Sequence, residues 1–127
     1  MLERDYIMRL FLQFFEELAL SLSKKNKEEK ETVIQNMFDA YFKRYDFYIE
    51  HDPTDILESF NEMATTEKLC RIEMLAELLH QEALLKEGDE KRNMLDKSMK
   101  LYNYINERST TFSLDRLRRM REINEER

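Results

Sequence analysis

The sequence predicts an all-α protein, and three observations support this prediction. The chain of 127 residues contains a single glycine, Gly88, and a single proline, Pro53. Glycine and proline supply the backbone angles of hairpins and irregular loops, so a sheet-rich protein would need several of each. The chain is rich in Leu, Met, Glu, Lys and Arg, which lose little rotamer freedom in a helix. Apolar residues also recur at helical spacing along most of the chain.

The apolar periodicity predicts six helices in a single domain, residues 1–127. Asp52 and Ser113 are suitable N-caps, and Pro53 suits the first position of a helix. Gly88 suits the left-handed backbone of a short connection, which predicts an antiparallel hairpin of the two flanking helices. The six predicted helices cover approximately residues 5–23, 30–50, 53–64, 67–87, 90–107 and 114–124.

The stretch RLFLQFFEELAL, residues 9–20, is the most apolar part of the first predicted helix. Four strongly polar residues interrupt it, and a membrane span needs about 20 predominantly apolar residues. Its polar side carries both charge signs, whereas helices on membrane surfaces favour Lys and Arg there. We therefore predict no membrane contact for this helix.

Phe11, Phe14 and Phe15 give the same helix an apolar stripe broader than the face that one neighbouring helix covers. Large exposed apolar patches usually meet a partner. We therefore predict that these phenylalanines belong partly to the core and partly to the interface of a homodimer.

The charges are unevenly distributed along this chain of net charge −6. No Lys or Arg occurs in residues 45–67, which we call the acidic segment, whereas four arginines occur in RLRRMR, residues 116–121. Two interpretations remain open: two solvated helix faces, or docking of the acidic segment with the arginines, within a chain or between two chains. The arginines spread around their predicted helix, so we predict no nucleic-acid partner.

Tyrosine and arginine side chains suggest a contact surface. Tyr41 and Tyr45 recur at helical spacing, and Arg116 and Arg119 share one face of the last predicted helix. Such tyrosines are commonly residues at the edge of the core whose hydroxyl reaches water. Protein-binding surfaces, however, are enriched in both residue types. We predict a contact groove formed by these four residues beside the acidic segment.

Glu77 and His80 form the pattern Glu-x-x-His, the spacing by which ferritin-like bundles hold two metal ions. Such sites need a second pair and two further glutamates, but His51, the other histidine, has no glutamate three residues before it. Metal binding at these residues is therefore the alternative, and we predict no metal or other cofactor. A further alternative is a ligand sensor with a pocket among Tyr41, Tyr45 and Tyr102.

Three segments together resemble a family of short, functionally uncharacterised bacterial proteins. They are ERDYIMRLF near the start, STTFSLDRLRRMREI near the end, and EMLAELLHQEALLKEGDEKRNMLDKSMKLYNYI, which resembles that family's tetratricopeptide-like C-terminal hairpin. The resemblance implies a helical cytoplasmic protein, and it supplies no catalytic residues. The single cysteine, Cys70, is also consistent with a reducing compartment.

These observations together predict a cytoplasmic protein-interaction or scaffolding module without catalysis. The alternative is a metal-binding or ligand-sensing helical bundle that uses Glu77 and His80.

Overall fold

The computed structural model describes the backbone of residues 2–127 and the side chains of residues 4–127. Within these residues the chain forms helices and no strands, which confirms the all-α prediction. The helices are α1 (Leu2–Leu22), α2 (Lys27–Tyr41), α3 (Tyr45–Glu50), α4 (Pro53–Glu58), α5 (Thr65–Ala83), α6 (Gly88–Arg108) and α7 (Leu114–Glu126).

The prediction of six helices is wrong, because the predicted helix 30–50 is divided into α2 and α3. Lys43 has a positive φ of 59°, a left-handed conformation that no α-helix can continue. The amides of both Phe42 and Lys43 donate to the carbonyl of Phe38 at 2.8 Å, which closes the end of α2. The apolar spacing continues across this turn, so periodicity alone did not reveal it.

Two other predicted helices are shorter at their C-terminal ends. The predicted helix 53–64 ends at Glu58 and is followed by tight turns, in which the amide of Met63 donates to the carbonyl of Phe60 at 3.1 Å. The predicted helix 67–87 ends at Ala83, and residues 84–87 connect it to α6.

The predicted caps at Asp52 and Ser113 are confirmed, whereas the N-cap of α6 is Glu87, whose side chain makes no capping hydrogen bond. The Asp52 carboxylate accepts a hydrogen bond from the amide of Asp55 at 2.9 Å, with Pro53 at the start of α4. The Ser113 hydroxyl accepts one from the amide of Arg116 at 3.1 Å. Gly88 has the predicted left-handed backbone, with a φ of +62°, although it is the first residue of α6 and the connection before it is residues 84–87. These local predictions succeeded because each depends on residues within one helical turn.

Helix α5 lies at the centre of the molecule. Residues 72–80 are all buried, which is typical of a helix surrounded by others. Helices α1, α2 and α6 pack against α5, α4 and α7 pack against α6, and α3 packs against α2. The Ser98 hydroxyl of α6 donates to the Ala76 carbonyl of α5 at 2.7 Å, within the close contact of the two helices. One hydrophobic core includes side chains from all seven helices.

In residues 2–127, no helix has the length and apolar character that crossing a lipid bilayer requires.

Candidate interaction surface and buried charge network

The aromatic residues predicted for an interface pack against one another in a row of rings within the protein. The ring of Phe14 packs edge-to-face against Tyr41 and Phe15, with centroids 5.1 Å apart in both pairs. The rings of Phe15 and Phe11 are 4.9 Å apart. Phe14 is fully buried, so its side chain joins α1 to α2 and leaves no surface for a second molecule.

Arg119 of α7 also contacts this row of rings. Its guanidinium lies over the ring of Phe15, 4.0 Å from the centroid, a cation–π contact. The structure thus brings Phe14 and Phe15 of the predicted apolar stripe together with Tyr41 and Arg119 of the predicted groove, two sets that the sequence analysis kept separate. Their contacts join α1, α2 and α7 to one another.

The side chains of Tyr41 and Tyr45 have different neighbours. The Tyr41 hydroxyl donates to the Glu17 carboxylate at 2.9 Å, and burial together with this bond raises the pKa of Tyr41 to about 12. The ring of Tyr45 packs against Phe38 at 5.0 Å, and burial with the nearby charge of Glu82 raises its pKa to about 12. Arg116, which we grouped with these tyrosines and Arg119, is buried and pairs with Glu73 of α5, and the contact groove stays a prediction.

A buried charge network joins α5 to α7. Glu73, Glu77 and His80 follow one another at spacings of four and three residues, so they lie on one face of α5. Arg116 Nη1 donates to Glu73 Oε1 at 3.2 Å, and Arg119 Nη1 donates to Glu73 Oε2 at 3.3 Å. Both oxygens of Glu73 are therefore occupied by arginines of α7.

Arg116 is buried, with only 5% of its surface exposed, and its guanidinium has several hydrogen-bond partners. Its Nε donates to Asn106 Oδ1 at 2.7 Å, and its Nη2 donates to the Thr111 carbonyl at 3.1 Å. Burial raises the pKa of Glu73, and the charge of Arg116 opposes this rise. A buried arginine with such partners holds the first turn of α7 in place.

Glu77 and His80 contact each other. Glu77 Oε1 lies 3.1 Å from His80 Nδ1, and Glu77 Oε2 lies 3.8 Å from Arg119 Nε. Among the described side chains, no group of three or more His, Cys, Asp and Glu residues is arranged to hold a metal ion.

Tyr102 lies beneath this network on α6. Its hydroxyl is buried and has no hydrogen-bond partner among the described residues, although the charges of Glu77, Arg119 and Glu73 influence its pKa. Burial raises the pKa of Tyr102 well above its ordinary value. Tyr102 thus lies among charged groups of α5 and α7, apart from the Glu17 partner of Tyr41, so a tyrosine-lined sensor pocket has no support in these contacts.

Docking of the C-terminal arginines occurs within the chain, but with carboxylates other than those of the acidic segment. Arg116 and Arg119 pair with Glu73 and Glu77, which follow that segment in α5. Arg118 pairs with Asp115 and Glu122 of its own helix. Within the chain, these three arginines therefore pair with carboxylates outside residues 45–67, whereas docking between two chains stays a prediction.

The outer face of α1 carries exposed apolar side chains. Leu12 is 62% exposed and Leu20 is 70% exposed, whereas Phe14 and Leu18 on the opposite side are buried. We use the name outer face for Arg9, Leu12, Gln13, Glu16 and Leu20, which line one shallow depression together with Glu17 and Ser21.

A cleft of about 370 Å³ lies between α1, α5, the end of α6 and the connection 109–113. We call it the α1–α5 cleft. Its apolar lining consists of Met8, Phe11, Leu69, Cys70 and Ile105. Its polar lining consists of Arg4, Thr65, Thr66, Glu73, Arg108, Ser109, Thr110, Thr111, Ser113 and Arg116.

Sequence reasoning missed Glu73 and the cleft. The spacing of Glu73, Glu77 and His80 was a usable signal, since it places three polar groups on one face of an otherwise buried helix. The cleft gave no signal, because its lining comes from three distant stretches of the chain, residues 4–11, 65–73 and 105–116.

Comparison of the chain with protein families, with curated proteins and with solved structures found no match.

Proposed function

We propose that this chain is a protein-interaction module that forms a homodimer through the outer face of α1. The exposure of Leu12 and Leu20 on a helix whose other side packs on α2 and α5 is the observation that carries the proposal. Exposed apolar side chains grouped on one helix face are typical of surfaces that meet a protein partner.

The charges on the outer face are complementary to themselves in an antiparallel pairing. Arg9 and Glu16 lie two helical turns apart, on either side of Leu12 and Gln13. A twofold axis between Leu12 and Gln13 would place each Arg9 opposite the Glu16 of the second copy. The same patch then serves on both copies, as a twofold interface requires.

The α5–α6 hairpin and α7 supply the rest of the proposed module. The short connection 84–87 and the close contact of α5 with α6 support a tetratricopeptide-like helix pair, with α7 as the first helix of a further unit. We include in the proposal a relationship to the bacterial helical family that the three segments resemble. A cytoplasmic location is the part of this proposal that the free thiol of Cys70 supports.

Charge exchange tests the dimer. Light scattering over protein concentrations from about 1 µM to about 500 µM should show a dimer that forms in the micromolar range, because one helix from each copy gives a small interface. Arg9→Glu and Glu16→Arg should each weaken the dimer by about tenfold or more, since like charges then face each other. The double variant should restore it.

The rescue distinguishes contact between copies from effects within one helix, because residues seven apart do not pair along a helix. Arg92→Glu, at an exposed side chain of α6, is the matched control and should leave the dimer unchanged. A monomer at every concentration, or a double variant no better than the single ones, would contradict the proposal.

A further inference from the structure

We propose that the α1–α5 cleft binds a small organic anion with an apolar body, such as a medium-chain or arylalkyl carboxylate. The cleft is independent of the outer face of α1 proposed for the dimer, so either proposal can fail without the other. Its volume of about 370 Å³ lies at the lower end of the range for small-molecule sites, roughly 300–1,000 Å³.

The lining of the cleft is divided into an apolar part and a cationic part. Met8, Phe11, Leu69 and Ile105 supply the apolar part, and Phe11 and Leu69 pack on the hydrophobic core. A chain of methylene groups or an aromatic ring placed there would leave water for an apolar surface.

The cationic part has an excess of positive charge on a chain of net charge −6. Arg4, Arg108 and Arg116 line the cleft, against the single carboxylate of Glu73. Glu73 is neutralised inside the protein, because both of its oxygens are bonded to arginines of α7. A carboxylate ligand therefore meets no unpaired anion in the lining.

Arg4 and Arg108 are the cations that can meet the ligand. Arg4 forms no ion pair with any side chain of residues 4–127, and Arg108 has an exposed pair with Glu107 at 3.3 Å. Exposed pairs of this kind contribute little and exchange readily. The guanidinium of Arg108 stacks 3.8 Å from the centroid of the Tyr104 ring, which restricts its position. Threonine and serine hydroxyls of the lining, such as Thr66 and Thr110, are further donors for a carboxylate.

Calorimetric titration with three probes separates the contributions of charge and apolar body. Octanoate carries both, acetate carries only the charge, and octanol carries only the body. We expect octanoate to bind with one-to-one stoichiometry at least about tenfold more tightly than acetate or octanol. Equal binding of octanoate and octanol, or no binding of octanoate, would overturn the proposal.

Variants locate the site. The double variant Arg4→Gln/Arg108→Gln should weaken octanoate binding by about tenfold while leaving octanol binding unchanged. Arg92→Gln, which removes an exposed arginine at the other end of α6, is the matched control and should bind octanoate as the natural chain does. Identical affinities for the double variant and this control would overturn the proposal.

Two further experiments test independently where octanoate binds: a variant that fills the cleft with a larger side chain, and chemical-shift mapping of the binding site. Leu69→Trp should abolish octanoate binding if the side chain occupies the cleft. Should that variant fail to fold, amide chemical-shift changes in the natural chain decide instead. Changes centred on Met8, Leu69 and Thr110 support the proposal, and changes centred elsewhere contradict it.

Discussion

Arg116 is the side chain whose removal we expect to be most costly. It is buried, and it bonds to Glu73, Asn106 and the Thr111 carbonyl. Breaking a buried ion pair by removing one partner costs about 3–5 kcal/mol, because a charge is left buried without compensation. Glu73 retains Arg119, so we expect Arg116→Ala to lower the free energy of unfolding in urea by about 3 kcal/mol.

A double-mutant cycle with Glu73→Gln tests the cause of this loss. The two losses should sum to more than the loss in the double variant, because each single change leaves a partner unpaired. Arg118→Ala, at an exposed pair on α7, should change stability by less than about 0.5 kcal/mol. Additive losses would show that Arg116 stabilises through packing alone.

Alkaline pH should destabilise the protein through two half-buried phenols and a half-buried thiol. The pKa values of Tyr41 and Tyr45 rise from 10.0 to about 12 in the folded chain, and that of Cys70 rises from 9.0 to about 11. The folded state therefore keeps these protons to higher pH than the unfolded state does. It follows that the free energy of unfolding falls as pH rises from about 9 through about 12.

Urea unfolding at a series of pH values measures this slope. Lys97 acts in the opposite direction, because burial lowers its pKa, so its contribution to stability grows as pH approaches 10.5.

Tyr41→Phe should flatten the decline above pH 10, whereas Tyr6→Phe, at a side chain that is 57% exposed, should not. A stability that is constant between pH 9 and 12 in the natural chain would contradict the prediction.

At the scale of the helices, positive φ angles at Lys24, Lys43 and Gly88 mark where helices end and begin in the described chain, and the last two allow a test of opposite expectations. Gly88 has a φ of +62°, and a Cβ atom at this position would meet nothing within 4 Å. The cost of Gly88→Ala thus comes from the backbone alone, and we expect a loss of about 1 kcal/mol in the free energy of unfolding. Lys43 has a φ of 59° without being a glycine, so Lys43→Gly should be neutral or gain up to about 1 kcal/mol.

The test is that Gly88→Ala loses stability whereas Lys43→Gly does not, with urea unfolding as the measurement. A loss of stability in Lys43→Gly would show that the lysine side chain, rather than the backbone angle, stabilises the turn between α2 and α3. Gly88 was predictable as a connection because glycine adopts this angle readily. Lys43 was not, because any of the neighbouring polar residues could have taken that position, and the packing of Tyr45 on Phe38 selects among them.

Over the whole molecule, burial predicts a gradient of local stability. Residues 72–80 of α5 are buried without interruption, whereas α7 contributes only Arg116 and Ile123 as buried residues. We expect the amides of α5 to exchange hydrogen only through global unfolding, and those of α7 to exchange through local opening with a lower free energy. Hydrogen exchange followed by mass spectrometry measures both. Equal protection of α5 and α7 would mean that the charge network holds α7 as firmly as the core holds α5.

The helical class, the caps at Asp52 and Ser113 and the backbone angle of Gly88 followed from the order of residues alone, because each depends on interactions within about one helical turn. The roles of Phe14 and Arg116 did not follow. Arg116 meets Glu73 across 43 positions of the chain, and Phe14 meets Tyr41 of another helix. The sequence pattern of a phenylalanine stripe or an arginine run is the same whether those side chains face a partner, water or the interior of the protein. The packing of α1, α2 and α6 around α5, with α7 against α6, determines which carboxylate and which ring each side chain can reach.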